Sequence, residues 1–174
     1  MKKYLEDKDY DALNEYLNNY QKSIPDEHIF FCENSAVNAI LSYFSEQART
    51  FGITYTVSAS IPKHISISET DLSILFGNLL ENAIDACNAQ SGEDKKIIVR
   101  AKTDDHSLCV TIDNTFSGSL NIDQEGHFVS SKHEGLGLGT ESIKSIAEKY
   151  GGVCQFEANN GMFYASVMCF KDHA

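Results

Sequence analysis

Apolar residues recur at helical spacing in four stretches of the chain. The longest runs from Asp71 to Asn88, DLSILFGNLLENAIDACN, where Leu72, Leu75, Phe76, Leu79, Leu80, Ala83, Ile84 and Cys87 form one face. Ser68-Glu69-Thr70-Asp71 ahead of it reads as a capping box, with an acid three residues after the serine. Residues 35 to 51 carry Ala36, Val37, Ile40, Leu41 and Phe44 at the same period, and Gly52 is placed as a stop. After Gly139, a third stripe of Ile143, Ile146, Ala147 and Tyr150 is closed by Gly151-Gly152. Residues 1 to 22 hold only the narrow stripe Tyr10, Leu13, Leu17 and Tyr20, with Asp9 placed to cap it. A stripe that narrow predicts a piece of a helical bundle or dimerisation stem that needs a partner helix. Ser23-Ile24-Pro25-Asp26 breaks it.

Elsewhere the period is two. Ile53 to Ala59 alternates and is rich in β-branched residues, which predicts a strand, and Ile61-Pro62 then turns the chain. Lys96 to Thr103 and Leu108 to Asn114 read as a hairpin joined through Asp104-Asp105-His106-Ser107. Val153 to Ala158 and Met162 to Phe170 are two more strands about a tight Asn159-Asn160-Gly161 turn. Between the hairpin and the last helix, Thr115 to Glu134 has no periodicity. Loops that long in compact domains are lids or disordered segments.

The far side of the longest helix changes the picture. Asn78, Asn82 and Asp85 stand there at i, i+4 and i+7, with Glu81 and Asn88 beside them. Asn and Asp are poor helix formers, because their short side chains compete for backbone hydrogen bonds. Two readings are open: an idle solvated face, or oxygens offered to a hard cation such as Mg²⁺.

With 174 residues the chain holds one core of ordinary size. Fourteen Lys and Arg against 25 Asp and Glu give a net charge of −11. That balance argues against non-specific binding to nucleic acid or to an anionic membrane, while leaving room for a local anion site. No apolar run is long enough to cross a bilayer, and MKKYLEDKD lacks the apolar core of a signal peptide. The expectation is a soluble cytoplasmic segment, with any membrane part of a parent protein outside it. The five cysteines are isolated, and the six histidines show no metalloenzyme spacing. Both facts favour buried thiols over disulfides or zinc.

A second candidate is Gly135-Leu136-Gly137-Leu138-Gly139, opening a helix at about Thr140. Glycines let backbone approach an anion, and the free N–H groups of a helix start point at it. Lys132 just upstream can meet a phosphate as a point charge. The alternative is a flexible loop. The stretch lacks the strand of a dinucleotide fingerprint and the GK[ST] of a P-loop.

Taken together, these elements resemble the GHKL family of ATP-binding domains over roughly Ile53 to Phe170. Asn78 to Ala86, NLLENAIDA, looks like its N box, and Gly135 to Gly139 like its second glycine box. The resemblance implies an α+β fold, a two-layer α/β sandwich. A mixed, mostly antiparallel sheet of about five strands packs against helices on one face, behind an N-terminal helical stem fragment. Residues 1–25 are then the stem and 26–174 the ATP-binding domain, with a lid at about 115–134. ATP and Mg²⁺ are the implied ligands. Asn82 matches the metal-binding Asn, and Asn78 is a second candidate. Asp113, with Asn114 beside it, matches the group that takes the adenine amine, a task suited to an acceptor. Asp85, Lys132, Gly135, Leu136, Gly137, Leu138 and Gly139 complete the candidate nucleotide site, and Glu81 is the candidate for polarising an incoming imidazole.

One departure is visible. Thr115 and Ser117 stand where a DxGxG box beginning at Asp113 has glycines. An Asn-centred box and the run NSAVNAILSYFSEQARTFGI are similar to sensor histidine kinases of the peptide-pheromone type. That likeness implies phosphoryl transfer to a His on a dimerisation helix outside these residues, since neither His28 nor His133-Glu134 is well placed as acceptor. A response regulator is the implied downstream partner. A GHKL ATPase driven by hydrolysis and a non-catalytic nucleotide-binding or interaction module are the alternatives.

Overall fold

The computed structural model of the chain describes residues 29–92, 94–117 and 138–170. The stem expected over 1–25 and most of the expected lid lie outside the described residues. In order, the elements are α1 (Ser35–Thr50), β1 (Thr54–Ser60), α2 (Glu69–Asn88), β2 (Lys96–Thr103), β3 (Ser107–Thr115), α3 (Leu138–Lys149), β4 (Val153–Asn159) and β5 (Met162–Phe170). Each element expected within the described residues is present, with ends displaced by a residue or two. The displacement that matters is at α3, which begins at Leu138, so Gly139 lies inside its first turn.

The five strands form one sheet in the order β1-β2-β3-β5-β4. β1 and β2 are parallel, joined by the crossover through α2, and the other three pairings are antiparallel. The pleat sorts side chains by face. Ile97, Val99 and Ala101 of β2, Leu108, Val110 and Ile112 of β3, and Ala165, Val167 and Cys169 of β5 are buried. They meet the apolar stripes of the helices. Every apolar residue expected on α2, from Leu72 to Cys87, is 6 % exposed or less. Val37, Leu41 and Ala48 of α1 and Ile143, Ile146 and Ala147 of α3 complete this single core.

The helix ends follow their chemistry. Asn34 caps α1 by accepting from the Val37 N–H at 3.1 Å, and Gly52 at φ +66° ends it. There the Gly52 N–H reaches Arg49 O and the Ile53 N–H reaches Ala48 O. The same pair of bonds closes α3, from Gly151 to Glu148 O and from Gly152 to Ala147 O. The β4–β5 turn places Asn160 at φ 50° and Gly161 at φ 74°, both left-handed, as a two-residue hairpin of that hand requires.

The capping box of α2 forms with a substitution. Ser68 Oγ accepts from the Asp71 N–H at 3.1 Å, as expected. The Ser68 N–H, however, donates to the Tyr150 hydroxyl at 3.0 Å, and that hydroxyl donates to Asp71 Oδ2 at 2.6 Å. A tyrosine from the end of α3 is thus inserted into the box. Lys149 Nζ joins the same oxygen at 2.8 Å.

Candidate functional site

Antiparallel packing of α2 and α3 brings the two candidate elements together. Asp71, in the first turn of α2, is tied to Lys149 and Tyr150 at the end of α3. From Asp71 to Asn82 α2 climbs about 16 Å, and from Lys149 back to Gly139 α3 descends about 15 Å. The other end of α3 therefore arrives at Asn82. A methyl group placed on Gly139 would lie 3.4 Å from Asn82 Nδ2, 3.5 Å from Asn82 Oδ1 and 3.8 Å from Asn78 Cβ. The first turn of α3, the positive end of its dipole, stands directly against the amides of α2. An amide oxygen suited to a cation and a helix start suited to an anion are neighbours.

Asn82 and Glu81 are exposed, whereas Asn78 and Asp85 are half-buried. Asp85 makes further contacts and is not a free carboxylate. Lys132, Gly135, Leu136 and Gly137 lie outside the described residues, as does the side chain of Leu138.

At the far end of α2 the pleat separates the two neighbouring candidates, Asp113 and Asn114. Alternation along β3 puts Val110, Ile112 and Asn114 on the helix side of the sheet and Asp113 on the other. Asp113 Oδ2 pairs with Arg100 Nη1 at 2.6 Å, diagonally across the β2–β3 ladder on the open face. Asn114, 2 % exposed, is the polar side chain of β3 that faces the helix layer. A shift of one residue exchanges the faces of a strand, so a box aligned on Asp113 and one aligned on Asn114 present opposite faces. Aligned on Asn114, its glycine positions fall at Phe116 and Gly118. Thr115 is then the residue between and no longer a misplaced glycine.

Thr115 was legible only as an anomaly, and its role appears in the contacts. Its hydroxyl accepts from Gln90 Nε2 at 2.9 Å and from the Lys96 N–H at 3.0 Å. Its carbonyl accepts from Asn114 Nδ2 at 3.0 Å and from the Cys87 thiol at 3.5 Å. The end of β3 is knotted to the end of α2 and the start of β2. Gln90 carried no signal in the sequence, since a lone glutamine after a helix is common.

The thiols are structural. Burial pushes Cys32, Cys87 and Cys154 up from their ordinary range and Cys169 up to about 11. None of these four is a thiolate nucleophile at neutral pH. A cavity of about 460 Å³ lined by Phe30, Phe31, Ile61, Pro62 and Thr103 opens at the other end of the sheet from Asn114 and is separate from this site.

Fold and site together define a two-layer α/β sandwich whose candidate ligand groups sit where one helix starts against another. Residues 67–169, more than half of the chain, match the GHKL domain family. The chain belongs to that family. It is 25 % identical over 139 residues to a probable C4-dicarboxylate sensor kinase of Bacillus subtilis (strain 168), covering 74 % of this chain and 25 % of that protein. It thus spans about a quarter of that relative's length. Among solved structures it is similar to the nucleotide-free catalytic domain of histidine kinase ThkA. The TM-score is 0.62 at 21 % identity, over 79 % of this chain and 93 % of the other. It is also similar to ThkA in complex with the response regulator TrrA. There the TM-score is 0.57 at 16 % identity, over 97 % of this chain and 50 % of the other. These likenesses are of fold.

Proposed function

We propose that this chain is the ATP-binding catalytic domain of a two-component sensor histidine kinase. It would transfer the γ-phosphoryl group of ATP to a His on a dimerisation helix outside residues 1–174. The observation that carries the reading is the abutment of Gly139 on Asn82. A triphosphate with its metal presents anion and cation side by side, and this junction offers a partner for each.

In this reading Asn82, with Asn78, holds Mg²⁺ through amide oxygens. Gly135 to Gly139, the first turn of α3 and Lys132 hold phosphate oxygens. Bound Mg²⁺ supplies charge neutralisation, and the chain supplies orientation, which is most of what phosphoryl transfer requires. Asn114 takes the adenine amine in place of Asp113. Between Asn82 and Asn88, where α2 ends, the helix climbs about 9 Å, so base and phosphates are read along a single helix. Residues 115–134 act as the lid, with Thr115 as its fixed hinge.

Asn78 is no base, so water has no activating carboxylate at that position. This favours transfer to a protein nucleophile over hydrolysis. Glu81, exposed on the same helix, is the group available to polarise the acceptor imidazole. Residues 1–25 are the end of the dimerisation stem, and a response regulator accepts the phosphoryl group downstream. The domain works in the cytoplasm, consistent with the finding that no described helix is long and apolar enough to cross a membrane. The Asn-centred box supports the peptide-pheromone type of kinase. A GHKL ATPase is the competing reading, and a steady ATPase rate abolished by Glu81→Ala would favour it.

Calorimetric titration with a non-hydrolysable ATP analogue, with and without Mg²⁺, tests the proposal. The wild-type chain should bind, and Mg²⁺ should tighten binding. Asn82→Ala should remove the Mg²⁺ effect while thermal unfolding stays unchanged. Identical titrations for wild type and variant would refute the site.

A further inference from the structure

An asparagine at the base site raises a problem that an aspartate does not. A carboxylate only accepts, so it selects the exocyclic amine of adenine. A carboxamide both donates and accepts. Flipped one way it takes the adenine amine, and flipped the other way it donates to the guanine carbonyl, which sits at the same ring position. A free Asn114 would read both bases.

The amide is not free to flip. Its Nδ2 is committed to the Thr115 carbonyl at 3.0 Å, and the residue is 2 % exposed. Reversal would set Oδ1 against that carbonyl oxygen, two acceptors facing each other in a dry place. The orientation is therefore only as firm as the Thr115 carbonyl, and that peptide is held by its own side chain. The hydroxyl takes two donors, Gln90 Nε2 at 2.9 Å and the Lys96 N–H at 3.0 Å. One donor comes from the loop after α2 and the other from the first residue of β2. The Cys87 thiol, in the last turn of α2, adds a third tie to the carbonyl.

We propose that Thr115 is a specificity-determining positioning residue. Clamped by Gln90 and Lys96, it holds the Asn114 amide oxygen-outward, so that the site takes adenine nucleotides and refuses guanine nucleotides. The inference rests on the assignment of Asn114 to the base, and goes beyond it by naming what sets the choice of base. A threonine that only stabilised the strand end would affect both nucleotides equally.

The test is equilibrium titration of the full chain with ADP and with GDP, for wild type, Thr115→Val, Thr115→Ser and Gln90→Leu. Wild type should prefer ADP by about tenfold or more, the worth of one hydrogen bond made against one reversed. Thr115→Val is nearly isosteric but accepts nothing, and should cut the preference several-fold. Thr115→Ser keeps the hydroxyl and should keep the preference. Gln90→Leu lies outside the sheet, so it reads the clamp even if Thr115→Val fails to fold, and should fall between. Equal weakening of ADP and GDP in Thr115→Val and Gln90→Leu overturns the inference, as does loss of preference in Thr115→Ser. Equal binding of both nucleotides by wild type overturns it while sparing the nucleotide site. Binding of neither overturns that site as well.

Discussion

Asp71 pins together the two helices that carry the candidate site, and its charge gives that pin a measurable signature. Its Oδ2 accepts from Lys149 Nζ at 2.8 Å, Ser68 Oγ at 2.6 Å and the Tyr150 hydroxyl at 2.6 Å. These bonds, Lys149's the largest, hold the carboxyl down at about 2 from an ordinary 3.8, against an upward push from burial. Taken in full, that fall is worth about 2 kcal/mol of folding stability. The carboxylate is 11 % exposed, but the Lys149 side chain is 60 % exposed, so solvent screens part of the gain. About 1 to 1.5 kcal/mol is the expected share. Because the folded-state value is the lower one, this stability is fully present above about pH 4 and is lost as pH falls towards 2. Asp71→Asn keeps the shape and leaves the Ser68 cap on the Asp71 N–H available. Urea unfolding at pH 7 should show the variant destabilised by about 1 to 1.5 kcal/mol. Between pH 4 and pH 2.5 the gap should shrink to about a third, because the wild type loses what the variant never had. A gap that stays constant down to pH 2.5 would refute the argument, since the loss would then come from shape alone.

Gly139→Ala should separate folding from binding. The new methyl meets Asn82 at ordinary contact distance, and alanine suits a helix better by up to about 1 kcal/mol, so thermal stability should hold or rise. Mg-nucleotide affinity measured by calorimetry should nevertheless fall about tenfold, because the methyl fills the space where cation and phosphate would meet. Asp113→Asn should leave nucleotide affinity within twofold in the same titration, as Asp113 lies on the open face with Arg100. Gly152→Ala should cost about 3 kcal/mol or more in urea unfolding, because its Cβ would fall 1.8 Å from the Met168 carbonyl oxygen, which belongs to β5 and cannot yield alone.

How much of this was legible in the sequence depended on whether the signal was periodic. All eight apolar positions assigned to α2 are buried, because a stripe at helical spacing has one way to leave water. The strands declared themselves by alternation, and the turn at Asn160-Gly161 by residues that tolerate positive φ. The ties between distant elements were not legible. Nothing in SETD foretells that a tyrosine from α3 will enter the box, because the contact depends on two helices packing antiparallel. The same packing decides whether Asn82 and Gly139 meet. Each was readable as a candidate alone, and their contact belongs to the tertiary structure.

Asp113 and Asn114 show what the pleat adds to pattern reading at a candidate site. By chemistry the acid is the better acceptor, and a motif written around an acid selects it. By the pleat, the side chain that reaches the helix layer is the one in phase with Val110 and Ile112, and that is Asn114. Geometry has to take precedence, since no acceptor strength compensates for lying on the other face of a sheet. The acid then serves the open face, paired with Arg100. In the proposed reading, the amide that takes its task must be oriented by its neighbours, because an amide, unlike a carboxylate, has a wrong way round. On that reading, the asparagine and the adjoining Thr115 answer one physical requirement: a reader with two chemical ends needs a clamp on one of them.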